Sequence, residues 1–331
     1  MPKFDVLTIG NAIVDIIART DDATLKALNV QKGAMTLVDA ERALQLYANM
    51  GPAIETSGGS AANTVAGLVA LGGKGAFIGK VSGDTLGEIF IHDIRSLGVF
   101  FATSQLIGDP PTARCMIFVT PDGERSMSTY LGACVELRPE DIEPELVAGA
   151  QVSYFEGYLW DPPLAKEAIV KSADIAHAHG REMAMTLSDA FCVNRYRNEF
   201  LGLMQSGTVD IVFANEAEAL ALYETEDFSQ ALLRLQQDVA KLAVVTRGAQ
   251  GCVVVEKAGQ TAYAAEPVAR VVDTTGAGDL FAAGFLRGYT SGRDHATSAA
   301  LGASAAAHII QQIGPRPATL LTELPAVKAL L

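Results

Sequence analysis

Basic residues are scarce in this chain of 331 residues: 25 Lys and Arg face 38 Asp and Glu, a formal net charge of −13. A general nucleic-acid surface is therefore not expected, and any phosphate ligand has to be held by local backbone donors, a few cations and a metal. Cysteine is equally sparse. The four present, Cys115, Cys134, Cys192 and Cys252, lie far apart without the paired spacing of a zinc or dithiol motif, so they read as reduced core thiols. Aromatic residues make up 7% and tryptophan occurs once, against 49% hydrophobic residues rich in Ala, a composition suited to helices packed closely on a parallel sheet. No charged-then-apolar leader opens the sequence and no run of eighteen apolar residues follows, which predicts a cytoplasmic protein with no membrane partner. A Walker-type phosphate loop is missing too. Lys74 to Val81 mimics one, but the spacing before Gly79-Lys80 is wrong and Val81 stands where Ser or Thr is required.

What is present centres on Val271 to Phe285: two valines, two threonines, the turn Gly276-Ala277-Gly278, and an apolar helical run with Asp279 in its first turn. Free N–H groups at a helix start attract phosphate, glycines permit close approach, and Asp279 stands where an incoming hydroxyl would meet that phosphate. A dinucleotide fingerprint fits less well, since its third glycine would fall at Phe281 and Asp279 would repel a pyrophosphate. Simple helix capping explains one aspartate but not the whole turn.

Other polar residues stand out along the chain. Asp15 lies among apolar residues in Asn11 to Ala18, either a strand-end carboxylate or an acceptor for substrate hydroxyls, with Asn11 on the same strip. Gly58-Gly59 opens a small-residue helix containing Asn63, and serves ligand approach or tight packing equally well. Strands at Thr112 to Val119 and Arg125 to Tyr130 flank a Pro-Asp-Gly turn, a hairpin beside the main sheet in which Arg125 is a mobile cation or a solvated one. A helix over 39–50 is predicted to turn Leu44, Leu46 and Tyr47 to the core. After residue 140, strands and helices alternate, which argues for a parallel sheet with ligands at the carboxyl ends of its strands. At two such ends stand Asn215 with Glu218, a capping box or a magnesium pair, and Thr246-Arg247-Gly248, a hydroxyl, a cation and a flexible backbone. His308 lies in an alanine-rich final helix whose small residues are expected to pack against the helix at Leu280.

Taken together, Gly58-Gly59 with Asn63, Asn215 with Glu218, Thr246-Arg247-Gly248 and Asp273 to Asp279 resemble the ribokinase, or phosphofructokinase-B, family of carbohydrate and nucleoside kinases, over nearly the whole chain. The resemblance implies a three-layer α/β/α fold with a mostly parallel sheet and a small β-sheet lid. The large domain is expected over 1–10, 40–99 and 135–331, the lid over 11–39 and 100–134. It implies ATP and Mg²⁺ as cofactors, with a monovalent cation such as K⁺ considered, and a small nucleoside or sugar as partner to a monomer or homodimer. Asp279 would be the catalytic base, and Gly276, Ala277 and Gly278 would supply N–H donors, each of which can contribute about 3 kcal/mol to charge stabilisation. Around the acceptor it sets Asn11, Ile13, Asp15, Met35, Gly58, Gly59, Asn63, Arg125, Tyr158 and Leu159. Around the nucleotide it sets Asn215, Thr246, Arg247, Gly248, Gly278 and His308, with Glu218 holding Mg²⁺ through water. The stretches Gly10 to Asp15, Thr186 to Phe191, Asp210 to Glu216 and Ala305 to Gly314 are most similar to members that act on adenosine. Met35 and Tyr158-Leu159 depart from that pattern, so a sugar, inosine or guanosine is the alternative acceptor.

Overall fold

The computed structural model describes residues 2–331. Its fourteen strands in chain order are β1 (Phe4–Ile9), β2 (Ile13–Arg19), β3 (Met35–Leu37), β4 (Ala53–Gly58), β5 (Gly75–Ile78), β6 (Phe100–Phe101), β7 (Ala113–Val119), β8 (Arg125–Tyr130), β9 (Ala150–Glu156), β10 (Glu182–Thr186), β11 (Ile211–Asn215), β12 (Leu242–Thr246), β13 (Cys252–Glu256) and β14 (Gly259–Tyr263). Nine form one sheet in the order β14-β13-β12-β11-β10-β9-β1-β5-β6, and five form another in the order β3-β8-β7-β2-β4. The large sheet is parallel from β6 to β12 and ends in an antiparallel hairpin, β13–β14, which the alternating pattern did not reveal. β14 is mostly exposed and polar, as an edge strand tolerates, so it carries little hydrophobic signal.

The large sheet is covered on both faces, and continuous apolar runs such as Ile211 to Ala214 follow from that double burial. One face packs under Pro163–Ala178 and Ala190–Gln205, with Phe155, Trp160, Ile169 and Phe200 in the core. The other packs under Ser60–Ala70 and Ala277–Thr290, with Val65, Phe77, Phe213 and Phe285 between them. Each such side chain contributes about 1.5–3 kcal/mol on burial. The alanine-rich helix, His295–Ile309, packs on Ala277–Thr290 as expected: a Cβ at Gly284 would come within 2.4 Å of Leu301 O.

Several expected boundaries move. β4 pairs antiparallel with β2, from Ile13 opposite Gly58 to Ala18 opposite Ala53, so it belongs to the small sheet. The Ala40–Ala48 helix goes with it, because Ala43 and Leu46 pack on Met116 and Phe118 of β7. The first lid segment thus runs to Gly58 rather than to residue 39. β6 pairs with β5 in the large sheet, so the second begins beyond Phe101 rather than at residue 100. Leu44 and Tyr47 were expected inward but are exposed, since Ala43 and Leu46, three residues apart, define the buried stripe. The Val271-Val272 pair is not a strand; the N–H groups of Val272 and Asp273 donate to Ile310 O at 2.7 and 3.2 Å, at the end of the last long helix.

Candidate active site

The turn before the Ala277–Thr290 helix is built by Asp273. Its Oδ1 accepts from Thr275 N–H and Thr275 Oγ1 at 3.0 and 2.7 Å, and its Oδ2 from Gly314 N–H and Arg125 Nη1 at 2.9 and 2.6 Å. Burial alone would raise this carboxyl, but the Gly314 and Thr275 donors and Arg125 outweigh it and hold it below the usual range. Gly276 then takes φ 77°, a left-handed conformation that favours glycine, and starts the helix. Ala277 N–H donates to Thr274 O at 3.2 Å, whereas the N–H groups of Gly276, Gly278 and Asp279 find no acceptor among the described residues. Three open donors therefore face outward from the helix start, and Ala277, expected among them, is already engaged.

Asp279 is fixed across the fold. Its Oδ1 accepts from Ser60 Oγ at 2.6 Å and its Oδ2 from Asn63 Nδ2 at 3.0 Å, both on the Ser60–Ala70 helix. Burial raises its carboxyl, partly offset by those two donors and by Arg316. Asp15, on β2, is 8% exposed and accepts no hydrogen bond from a described residue. Burial pushes it up to about 6; Arg125 and Arg316 pull it down and Asp279 pushes it up, so the two carboxylates lie within electrostatic reach of each other. Gly58 lies close by on β4, where a Cβ would stand 2.4 Å from Asp15 Cγ. Gly59 has φ 93°, and a Cβ there would stand 2.2 Å from Asn11 O. The paired glycines are thus required by the backbone that seats Asp15 and Asn11, whichever ligand approaches them.

Asn11 and the start of the Ser60–Ala70 helix share one anchor. Glu156, at the carboxyl end of β9 and 1% exposed, accepts from Asn11 N–H, Asn11 Nδ2 and Ala61 N–H at 3.0, 2.7 and 2.7 Å. Burial pushes its carboxyl up to about 7 against those donors. Sequence reasoning passed over Glu156, although a carboxylate ending the apolar run Val152 to Phe155 was the available signal. It also passed over Ser60, Ser188 and Arg316.

A cleft of about 410 Å³ opens beside the Gly276-Ala277-Gly278 turn at the carboxyl ends of β10, β11 and β12, where open α/β sheets bind ligands. Ser60, Tyr158, Asn215, Glu218, Thr246, Gly276, Gly278 and Asp279 are among its walls. Asn215 and Glu218 form the capping box: Asn215 N–H and Nδ2 donate to Glu218 at 3.0 and 2.6 Å, and Glu218 N–H donates to Asn215 Oδ1 at 2.9 Å. Burial pushes Glu218 up to about 7. Ser188, at φ 73°, lines the cleft as well, and the Tyr158 hydroxyl donates to its carbonyl at 3.3 Å.

Other expected members stand elsewhere. Leu159 is 1% exposed in the core beneath the sheet, because the short helix Gly157–Trp160 turns it inward while Tyr158 faces the cleft. Arg247 is not among the cleft walls; it pairs with Glu216 at 3.1 Å and lies 4.3 Å over the Phe228 ring. Gly248 follows in a 3-10 turn at φ 54°, and neither it nor His308 lines the cleft. Met35 is largely exposed on β3 at the lid's edge, while Ile13 begins β2 opposite Gly58. Arg125 is not solvated: its side chain is 7% exposed in the pair with Asp273, and Nε and Nη2 lack partners among the described residues.

No group of three or more His, Cys, Asp or Glu able to hold a metal occurs among the described residues. Likewise no helix among them is long and apolar enough to cross a membrane, and all four cysteines are free and buried.

The pfkB family carbohydrate kinase profile matches residues 51–322. The solved structure of adenosine kinase from Sinorhizobium meliloti is 63% identical over 99% of this chain and 98% of its own, with a TM-score of 0.91. A probable sugar kinase from Rhizobium etli CFN 42 is 60% identical over 100% of both chains, with a TM-score of 0.94. Adenosine kinase of Saccharomyces cerevisiae is 28% identical, covering 94% of this chain and 96% of its own.

Proposed function

Since the chain belongs to the pfkB family of carbohydrate kinases, we propose that it transfers the γ-phosphate of ATP to the 5'-hydroxyl of a nucleoside, adenosine first, in the cytoplasm. The observation that carries this reading is a pair of carboxylates, Asp15 buried and Asp279 partly buried. Asp15 accepts from no described residue and suits the hydroxyls of a sugar ring, while Asp279 is held by Ser60 and Asn63 beside three open N–H groups.

In that reading Asp15 accepts hydrogen bonds from the acceptor's hydroxyls and so orients the one that reacts. Asp279 takes that hydroxyl's proton on a carboxylate oxygen, and its raised affinity for protons suits it to do so. The N–H groups of Gly276, Gly278 and Asp279 face the charge that develops on the transferred phosphoryl, and each such donor can contribute about 3 kcal/mol. Asn215, Thr246 and Ser188 line the channel in which the nucleotide's phosphates lie. The residues fit a magnesium ion held mainly by phosphate and water, with Glu218, a buried acid lining the cleft, as the side chain that would hold it. Held there, the ion would neutralise phosphate charge.

ATP consumption over a panel of nucleosides and sugars tests the assignment. Turnover of adenosine above all other acceptors is expected, and turnover of ribose or fructose alone would overturn it. The second reading, a sugar acceptor, is favoured by the 60% identical probable sugar kinase, and the same panel decides between them. Repeating the assay with K⁺ replaced by a bulky organic cation reads out monovalent dependence, and sedimentation distinguishes monomer from homodimer.

A further inference from the structure

Three consecutive residues beyond the last long helix touch both halves of the site. Gly314 N–H donates to Asp273 Oδ2 at 2.9 Å. Pro315 lies against the anion turn, where a Cβ on Gly276 would come within 2.7 Å of Pro315 Cβ. Arg316 then reaches the opposite wall: Nη1 donates to Ala62 O at 3.0 Å, and Nη2 to Ser57 O and Ser57 Oγ, both at 3.1 Å.

Ser57 and Ala62 bracket Gly58-Gly59-Ser60, and Asn63 follows at once, so one guanidinium ties together the end of β4 and the start of the Ser60–Ala70 helix. Asp93, on the Thr85–Ser96 helix, holds Ser57 from the other side, accepting from its N–H at 2.8 Å and its Oγ at 2.5 Å. The Arg316 carbonyl accepts from Gln312 Nε2 at 2.6 Å, which fixes the segment behind the side chain. Nε is buried without an acceptor, so full pairing of this group has been given up for its position. Burial pulls the guanidinium's own pKa down to about 10, opposed by Asp93, Asp15 and Asp279.

We propose that Gly314-Pro315-Arg316 is a strap that sets the spacing between the acceptor-holding turn, Ser57 to Asn63, and the anion turn, with Arg316 as the positioning residue at its end. The proposal rests on the kinase reading above. Arginine suits the task because its planar fork reaches carbonyls on two elements at once, which a lysine ammonium on a flexible stem does not. Phosphoryl transfer needs the hydroxyl in line with the phosphorus, and a misplacement of about 1 Å can cost about 100-fold in rate.

Arg316→Gln and Arg316→Lys in the full chain test it, with thermal unfolding confirming that each variant folds. For Arg316→Gln, kcat/KM for the acceptor is expected to fall about 100-fold while the affinity for a non-hydrolysable ATP analogue stays within about threefold. Arg316→Lys keeps the charge but not the fork, and is expected to regain no more than about a tenth of wild-type kcat/KM. Amide exchange at residues 57–63, read without turnover, is expected to quicken in both variants. Wild-type kcat/KM in either variant, unchanged exchange over 57–63, or an equal loss of acceptor and ATP affinity overturns the strap. If Arg316→Gln does not fold, Arg316→Lys is judged by the same three criteria. A wild-type chain that phosphorylates no acceptor would instead overturn the kinase reading, while the exchange result would still decide whether the strap exists.

Discussion

Asp279, partly buried, and Glu156, fully buried, both carry carboxyls with raised pKa values, yet different consequences follow from substituting them. Asp279→Asn removes the proposed base while leaving an acceptor for Ser60, so kcat is expected to drop about 1,000-fold with little change in KM. The wild-type acid limb of kcat, set by a carboxyl above the ordinary aspartate range, should flatten in the residual activity of the variant, as rates measured from pH 4 to 9 will show. Glu156 touches no proposed ligand; it holds Asn11 and Ala61 in place. Its carboxyl rises from 4.5 unfolded to about 7 folded, so between those values the native state binds more protons than the unfolded one. Its contribution to stability is therefore present below pH 4.5 and is lost as pH climbs through about 7. Glu156→Gln should flatten that part of the stability curve in denaturant titrations. It should also cost about 1–3 kcal/mol at acid pH, because an amide cannot accept from all three donors. The local sequence could nominate Asp279 because a glycine turn surrounds it, whereas Glu156 reads as the last residue of a strand. Only the approach of Asn11 and Ala61, 145 and 95 residues away in sequence, reveals its task.

At the scale of elements, most of the framework was readable because each piece carries its own pattern. The β7–β8 hairpin was given by its Pro-Asp-Gly turn, and β9 to β12 by apolar runs alternating with helices. The pattern failed where neighbours override local preference: β4 is half polar, and its place beside β2 is set by backbone pairing. The anion turn belongs to this scale too, since its shape depends on Gly276 at φ 77° with Pro315 against it. Gly276→Ala would demand an unfavourable backbone conformation and push a methyl into Pro315, a cost of about 1–3 kcal/mol. The expected result is a lower denaturation midpoint together with a loss of kcat greater than about tenfold, since the open N–H groups lose their aim. Gly284→Val is a control midway along the helix. It should destabilise through the contact with Leu301 O by about 1–3 kcal/mol, with kcat preserved in the fraction that remains folded.

Across the whole molecule, one of the links between the small sheet and the rest of the chain is a buried ion pair, Arg125 with Asp273 at 2.6 Å, both side chains 7% exposed. Removing one partner of such a pair typically costs about 3–5 kcal/mol because the other charge stays buried. Arg125→Gln is accordingly expected to quicken hydrogen exchange in β7 and β8, leaving β9 to β12 protected. Uniform protection in the variant would show that the lid is held by its other contacts. By itself, the sequence determined the strand–helix alternation behind the parallel sheet, the β7–β8 hairpin, the glycine turn and its aspartate, because periodicity, turn chemistry and glycine spacing act over a few residues. The tertiary structure alone decided that Leu159 is core, that Arg247 turns to Glu216, that the lid runs through Gly58, and that Glu156 and Arg316 brace the site. Those outcomes depend on which distant groups burial brings within hydrogen-bonding distance, and no short-range pattern carries that information.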